Sequence, residues 1–168
     1  MGAIQVYIPA TLAMLQQLVA DGSLSPVNGT AFAVTPTLRE AYAQGDDDEL
    51  ADVALREAAL ASLRLLAAED DQTARPRRAV LAAEVDDVTF RSDLDDAVVR
   101  LAGPVGMDQV VAAYVDNADA EEAVARAIEA IDAADLGDED ADLIVGDAQD
   151  HDLAWYANQE LAFLLDLL

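Results

Sequence analysis

No cysteine occurs among the 168 residues, and no lysine: all nine bases are arginine. Without cysteine there is no disulfide, no thiolate metal site and no thiol nucleophile. Without lysine there is no Schiff-base chemistry and no residue to complete a lysine-dependent phosphate loop. Histidine is nearly as scarce. His151 stands alone, which excludes a mononuclear zinc site built on histidines. The four serines, Ser23, Ser25, Ser62 and Ser92, lie in no G-x-S-x-G elbow. Gly103-Pro104-Val105-Gly106 reads as a turn and not as a dinucleotide fingerprint. No apolar run is long enough to span a bilayer. The start, Met1 to Ala20, has no basic region, and Pro9, Gln16 and Gln17 break its apolar run. No signal peptide is expected there, and a cytoplasmic location follows by default.

What is abundant is acid. There are 34 Asp and Glu against nine bases, for a net charge of −25. Nucleic acid and anionic membranes are therefore expected non-partners, because both are bound chiefly through Lys and Arg. A protein partner with a basic surface suits the charge. The one basic cluster, Arg75, Arg77 and Arg78, stands at the entrance of a predicted strand. Alanine contributes 36 residues. With the absence of lysine, this points to a GC-rich genome or to a high-salt cytoplasm. The apolar share of 54% supports a real core.

Two strand–proline–helix joints organise the first half. Ile4 to Ile8 reads as a strand, with Thr11 capping a helix to Ala20. Thr30 to Val34 reads as a second strand, followed by the cap Thr35 and Pro36 at the first helical position. That helix ends near Ala43. Asp47 or Asp48 is expected to cap a longer one that runs to Ala68, its acidic start suited to the helix dipole. Glu69 to Pro76 reads as a polar loop. Strands follow over Arg78 to Val85, Ala97 to Ala102 and Val110 to Val115, with Val88 to Phe90 a short extension. A helix is expected from Asp119 to about Ala134, and Leu143-Ile144-Val145 fits a sixth, edge strand. The chain closes on a helix from Gln149 to Leu168. The expectation is one α/β domain over residues 1–168, on the α+β borderline. Its sheet is mixed and five- or six-stranded, in the order βαβααβββαα, with parallel neighbours at the joints.

Chemistry-bearing groups are few. Asp138, Asp140 and Asp142 alternate like the start of a calcium loop. Leu143 then stands where glycine is needed, and Gln149 where a bidentate glutamate is needed. Neither a metal nor a cofactor is expected. His151 lies among Asp147, Asp150 and Asp152 and is the one candidate acid–base residue. Trp155 and Tyr156 are candidates to stack a ligand. In a parallel sheet, Pro9, Thr11, Thr35 and Thr37 would gather with His151 at one strand edge, the usual ligand site of open sheets.

Val6-Tyr7-Ile8-Pro9-Ala10-Thr11 near the start and Asp150-His151-Asp152-Leu153-Ala154-Trp155-Tyr156-Ala157-Asn158-Gln159-Glu160 near the end carry a resemblance. So do Ala31 to Pro36, Ala102-Gly103-Pro104 and Val115-Asp116. In these the chain resembles an actinobacterial family of unknown function. The resemblance implies a GC-rich, non-halophilic source and a cytoplasmic protein. It assigns no catalytic residue.

The functional expectation is a non-enzymatic interaction module that forms a homodimer through its apolar last helix. The alternative is a small-ligand binder, or an enzyme of unknown substrate, with its site near His151. The last helix motivates the first reading. Leu161, Phe163, Leu164, Leu165, Leu167 and Leu168 cannot all face one side at 3.6 residues per turn.

Overall fold

The computed structural model describes residues 3–69 and 75–168. The middle of the polar loop expected over Glu69 to Pro76 lies outside these residues. Strand β1 (Ile4–Ala10) runs through the centre of a seven-stranded sheet. It leads into α1 (Leu12–Asp21), where the Thr11 hydroxyl accepts a hydrogen bond from the Met14 N–H at 3.2 Å. Gly22, at φ +78°, closes α1 in a left-handed conformation that only glycine adopts cheaply. β2 (Ser23–Leu24) and β3 (Thr30–Phe32) precede α2 (Pro36–Ala41) and α3 (Asp47–Ala68). Thr35 caps α2 as expected, with Pro36 at its start, whereas α3 is capped by Asp46 and not by Asp47 or Asp48, because the Asp46 carboxylate accepts from the Glu49 N–H at 2.9 Å. Then come β4 (Ala79–Val85), β5 (Val88–Phe90), β6 (Val98–Leu101), β7 (Val105–Gly106) and β8 (Val110–Val115). Helices α4 (Glu121–Asp135) and α5 (Glu139–Gln149) form a hairpin, and β9 (Ala154–Ala157) and α6 (Leu161–Leu167) end the chain.

The domain has helices on both faces of one sheet, the α/β class expected. The sheet order is β5-β6-β3-β1-β4-β8-β9, with β2 and β7 forming a separate ribbon. Its pairings are all antiparallel. This corrects the mixed five- or six-stranded sheet and the parallel joints. Proline at a joint fixes how a helix begins, not the edge to which the chain returns. Here α1 and the segment after it bring the chain back to the end of the sheet it left. β3 therefore enters beside β1 running the opposite way, with Tyr7 opposite Phe32.

Two further expectations fail. Leu143-Ile144-Val145 is helical, within α5, because Ala141, Val145 and Ala148 recur at helical spacing and are buried. The last helix is also not continuous. Ala154 to Ala157 pairs with β8 as an edge strand, Tyr114 opposite Trp155, and beyond it a 3₁₀ turn over Asn158–Glu160 leads into α6.

Alternation along the strands sorts the core. Val6, Ile8, Leu81 and Ala83 face α1 and α6. Tyr7, Val80, Ala82 and Ala112 face α2 and α3. Alanines on both partners, Ala54 and Ala58 against Ala82 and Ala112, let α3 lie close to the sheet. A third cluster joins Leu63 and Leu66 of α3 to Val124, Ala127, Ile131 and Val145 of the hairpin. No helix among the described residues is long and apolar enough to cross a membrane.

Candidate functional site

The site starts from two charges that flank apolar strands. Arg78 immediately precedes β4 and Asp116 immediately follows β8. Because β4 and β8 are antiparallel neighbours, with Ala79 opposite Val115, the two residues meet at one end of the sheet. Their side chains are 3% and 0% exposed. Arg78 Nε donates to Asp116 Oδ2 and Nη2 donates to Oδ1, both at 2.8 Å. The Arg78 backbone N–H adds a third bond to Oδ2 at 2.8 Å. Such a two-pronged pair is the strongest arrangement available to a carboxylate.

Arg78 also fixes the approach to β9. Its Nη2 donates to the carbonyl of His151 at 2.8 Å, so the α5–β9 connection is tied to the buried pair. Beside it Arg77 Nε donates to Glu121 Oε2 at 2.7 Å, and its Nη1 donates to the Asp116 carbonyl at 3.2 Å. Arg75 lies 3.6 Å from the same Glu121 carboxylate. The one basic cluster of the sequence is thus engaged by the protein's own acids. At the same sheet end Ser62, fully buried on α3, donates to the Ala10 carbonyl at 2.7 Å and accepts from the Ala79 N–H at 3.0 Å.

A cleft of about 460 Å³ opens between α3 and the α5–β9 connection, within the range of small-molecule sites. Asp52 and Arg56 line it from α3, Gly146 and Gln149 from α5, Asp150, His151 and Asp152 from the connection, and Arg78 from the entrance of β4. Arg78 Nη1 hydrogen-bonds no described residue. The cleft therefore offers donors from Arg78, Arg56 and Gln149 and acceptors from three carboxylates. It can hold a small polar molecule that carries charge of both signs.

The expected site residues divide between the two ends of the sheet. His151 lines the cleft, held by its main chain: its N–H donates to Ala148 at 3.1 Å and its carbonyl accepts from Arg78. Thr11 lies at the same end, buried as a cap. Thr35 and Thr37 lie at the opposite end, because β3 is antiparallel to β1. Thr35 is buried, caps α2 and donates to the Asp96 carbonyl. Trp155 is 57% exposed on the edge strand, while Tyr156 packs against the α1 side of the core. Among the described residues no group of three or more His, Cys, Asp or Glu is placed to hold a metal. Asp138 of the alternating acids caps α5, accepting from the Ala141 N–H at 2.9 Å.

Sequence reasoning missed the Arg78–Asp116 pair. Its signal was a charge at the mouth of each of two apolar strands, readable only once those strands are known to be antiparallel neighbours. No curated protein and no solved structure shows a significant match to the chain. The chain belongs to a family of unknown function, DUF6912, whose model matches residues 4–165.

Proposed function

We propose that this chain is a non-enzymatic protein-interaction module that pairs with a second copy of itself through α6. One observation carries the reading. Leu161 and Leu164 are buried under the sheet, while Phe163 and Leu167, one turn apart, are 77% and 78% exposed. Burying a side chain of this size is worth about 1.5–3 kcal/mol. Charge selects the occupant. Two copies at −25 repel wherever carboxylates crowd. From Ala154 to Leu168 the only charged side chains are Glu160 and Asp166. A two-fold contact through this neutral, apolar face brings the copies together where repulsion is least.

Neither nucleic acid nor anionic membrane is a partner in this reading, which is supported by the engagement of Arg77 and Arg78 with Glu121 and Asp116. A cytoplasmic setting and an actinobacterial source complete it; the source is supported by 36 alanines and bases that are all arginine, as GC-rich codons favour. The second reading, a small-ligand binder at the His151 cleft, is favoured by one observation: the Arg78 Nη1 donor left over in a cleft of ligand size.

The absence of cysteine gives a direct test of the first reading. Asp166→Cys on the exposed side of α6 is expected to join two copies with a short bismaleimide. Leu94→Cys, on an exposed turn before β6, is expected not to. Equal cross-linking of both variants, or of neither, contradicts the α6 contact.

A further inference from the structure

The far end of α5 reaches the cleft, but the turn of the α4–α5 hairpin has a groove of its own that shares no lining residue with the cleft. From Asp132 to Asp147 the hairpin carries seven acids and no base. Among the described residues only Asp135 of these has an ion-pair partner, Arg64 at 3.0 Å. Gly137, at φ +97°, reverses the chain and leaves Leu136 90% exposed at the tip. On α5 the inner side is occupied by Val145 and Ala148, which leaves Leu143 70% exposed. A groove of about 450 Å³ lies at this turn, lined by Ala134, Gly137, Asp138, Glu139, Asp142 and Leu143.

We infer that this groove docks a basic, amphipathic segment of another protein, with an apolar anchor seated against Leu143 in the groove and a second apolar contact at Leu136 on the neighbouring tip. The sign of the partner follows from the charge: a second copy or a nucleic acid meets Asp138, Glu139 and Asp142 of the groove with like charge, whereas a Lys- or Arg-rich segment meets complementary potential. The anchor follows from the leucines. Leu143 in the groove and Leu136 beside it, flanked by Asp138, Glu139 and Asp142, form an apolar centre with a charged rim, the ordinary anatomy of an interface. This docking is independent of α6, so it survives if self-association fails.

Fluorescence anisotropy with two labelled peptides tests it. One is a Leu/Lys amphipathic helix of about 18 residues, the other a Ser/Lys peptide with the same number of lysines. Near about 0.15 M salt the amphipathic peptide is expected to bind about tenfold more tightly or better. The Leu136→Ser, Leu143→Ser double variant is expected to lose that preference and keep weak, salt-sensitive binding of both peptides. The Phe163→Asp, Leu167→Asp variant is expected to retain the preference. Circular dichroism confirms that each variant is folded. Equal binding of the two peptides by the wild type overturns the inference. So does a preference that persists without the two hairpin leucines, or one lost only with the α6 residues.

Discussion

Replacing Asp116 by Asn removes one charge and almost no volume, yet it is expected to be among the most damaging single changes in the chain. Asp116 accepts three hydrogen bonds from Arg78 in a fully buried position. An Asn side chain keeps an oxygen at only one of the two carboxylate positions, so its N–H₂ faces at least one of the three donors, and it leaves the guanidinium charge unmatched. Breaking a buried pair from one side costs about 3–5 kcal/mol. For a domain of this size each kcal/mol moves Tm by about 2–4 °C, so the expected fall is about 6–20 °C. Urea unfolding followed by circular dichroism reads the loss as a shift in midpoint at constant slope. Combining Arg78→Met with Asp116→Leu is expected to recover much of it, because two apolar groups leave no buried charge. Recovery is incomplete, since the Arg78 backbone N–H still lacks its acceptor, at about 1–3 kcal/mol. A single-variant loss below about 1 kcal/mol, the value of an exposed pair, would refute the reasoning. A double variant no more stable than Asp116→Asn would also refute it.

Three other perturbations test separate parts of the fold. Burial, and then the charge of Asp95, hold the Glu57 carboxyl above its ordinary range, with Arg64 opposing. The folded chain therefore binds this proton more tightly than the unfolded one, and the stability it contributes at acid pH is lost as pH rises through the raised value. Glu57→Gln is expected to raise Tm at neutral pH, with the gain vanishing below about pH 4; a variant less stable at neutral pH contradicts this. Asp138→Ala removes a helix cap and is expected to cost about 0.5–2 kcal/mol. Millimolar calcium is expected to leave Tm unmoved in wild type and variant alike, and a rise in the wild type alone would return the alternating acids to a metal-binding role.

Local signals in this sequence read well, and pairings did not. Thr11 and Thr35 cap the helices expected of them, since a hydroxyl one residue before a helix acts within a single turn. The long α3 is legible for the same reason. The direction of β3 is not, because nothing within Ser23 to Gly29 records which end of the sheet the chain returns to. Ala154 to Ala157 reads as helix from spacing alone, since four residues fit either period. Pairing with β8, anchored where the Asn158 side chain donates to the Val110 carbonyl at 2.9 Å, makes it a strand. The candidate site inherits these errors. His151 does line a cleft, but Thr35 and Thr37 lie at the far end of an antiparallel sheet. The two faces of the last helix were legible, because 3.6 residues per turn places Phe163 and Leu167 away from Leu161 and Leu164 whatever the rest of the chain does.

The most direct test of the central claim is the mass in solution of the full chain and of a Phe163→Asp, Leu167→Asp variant, read by light scattering at micromolar concentrations. Both positions are more than three-quarters exposed in one copy, so the substitutions leave the core intact. The account predicts twice the chain mass for the wild type and a folded single chain for the variant. A monomeric wild type at tens of micromolar, or a variant that remains dimeric, would contradict it.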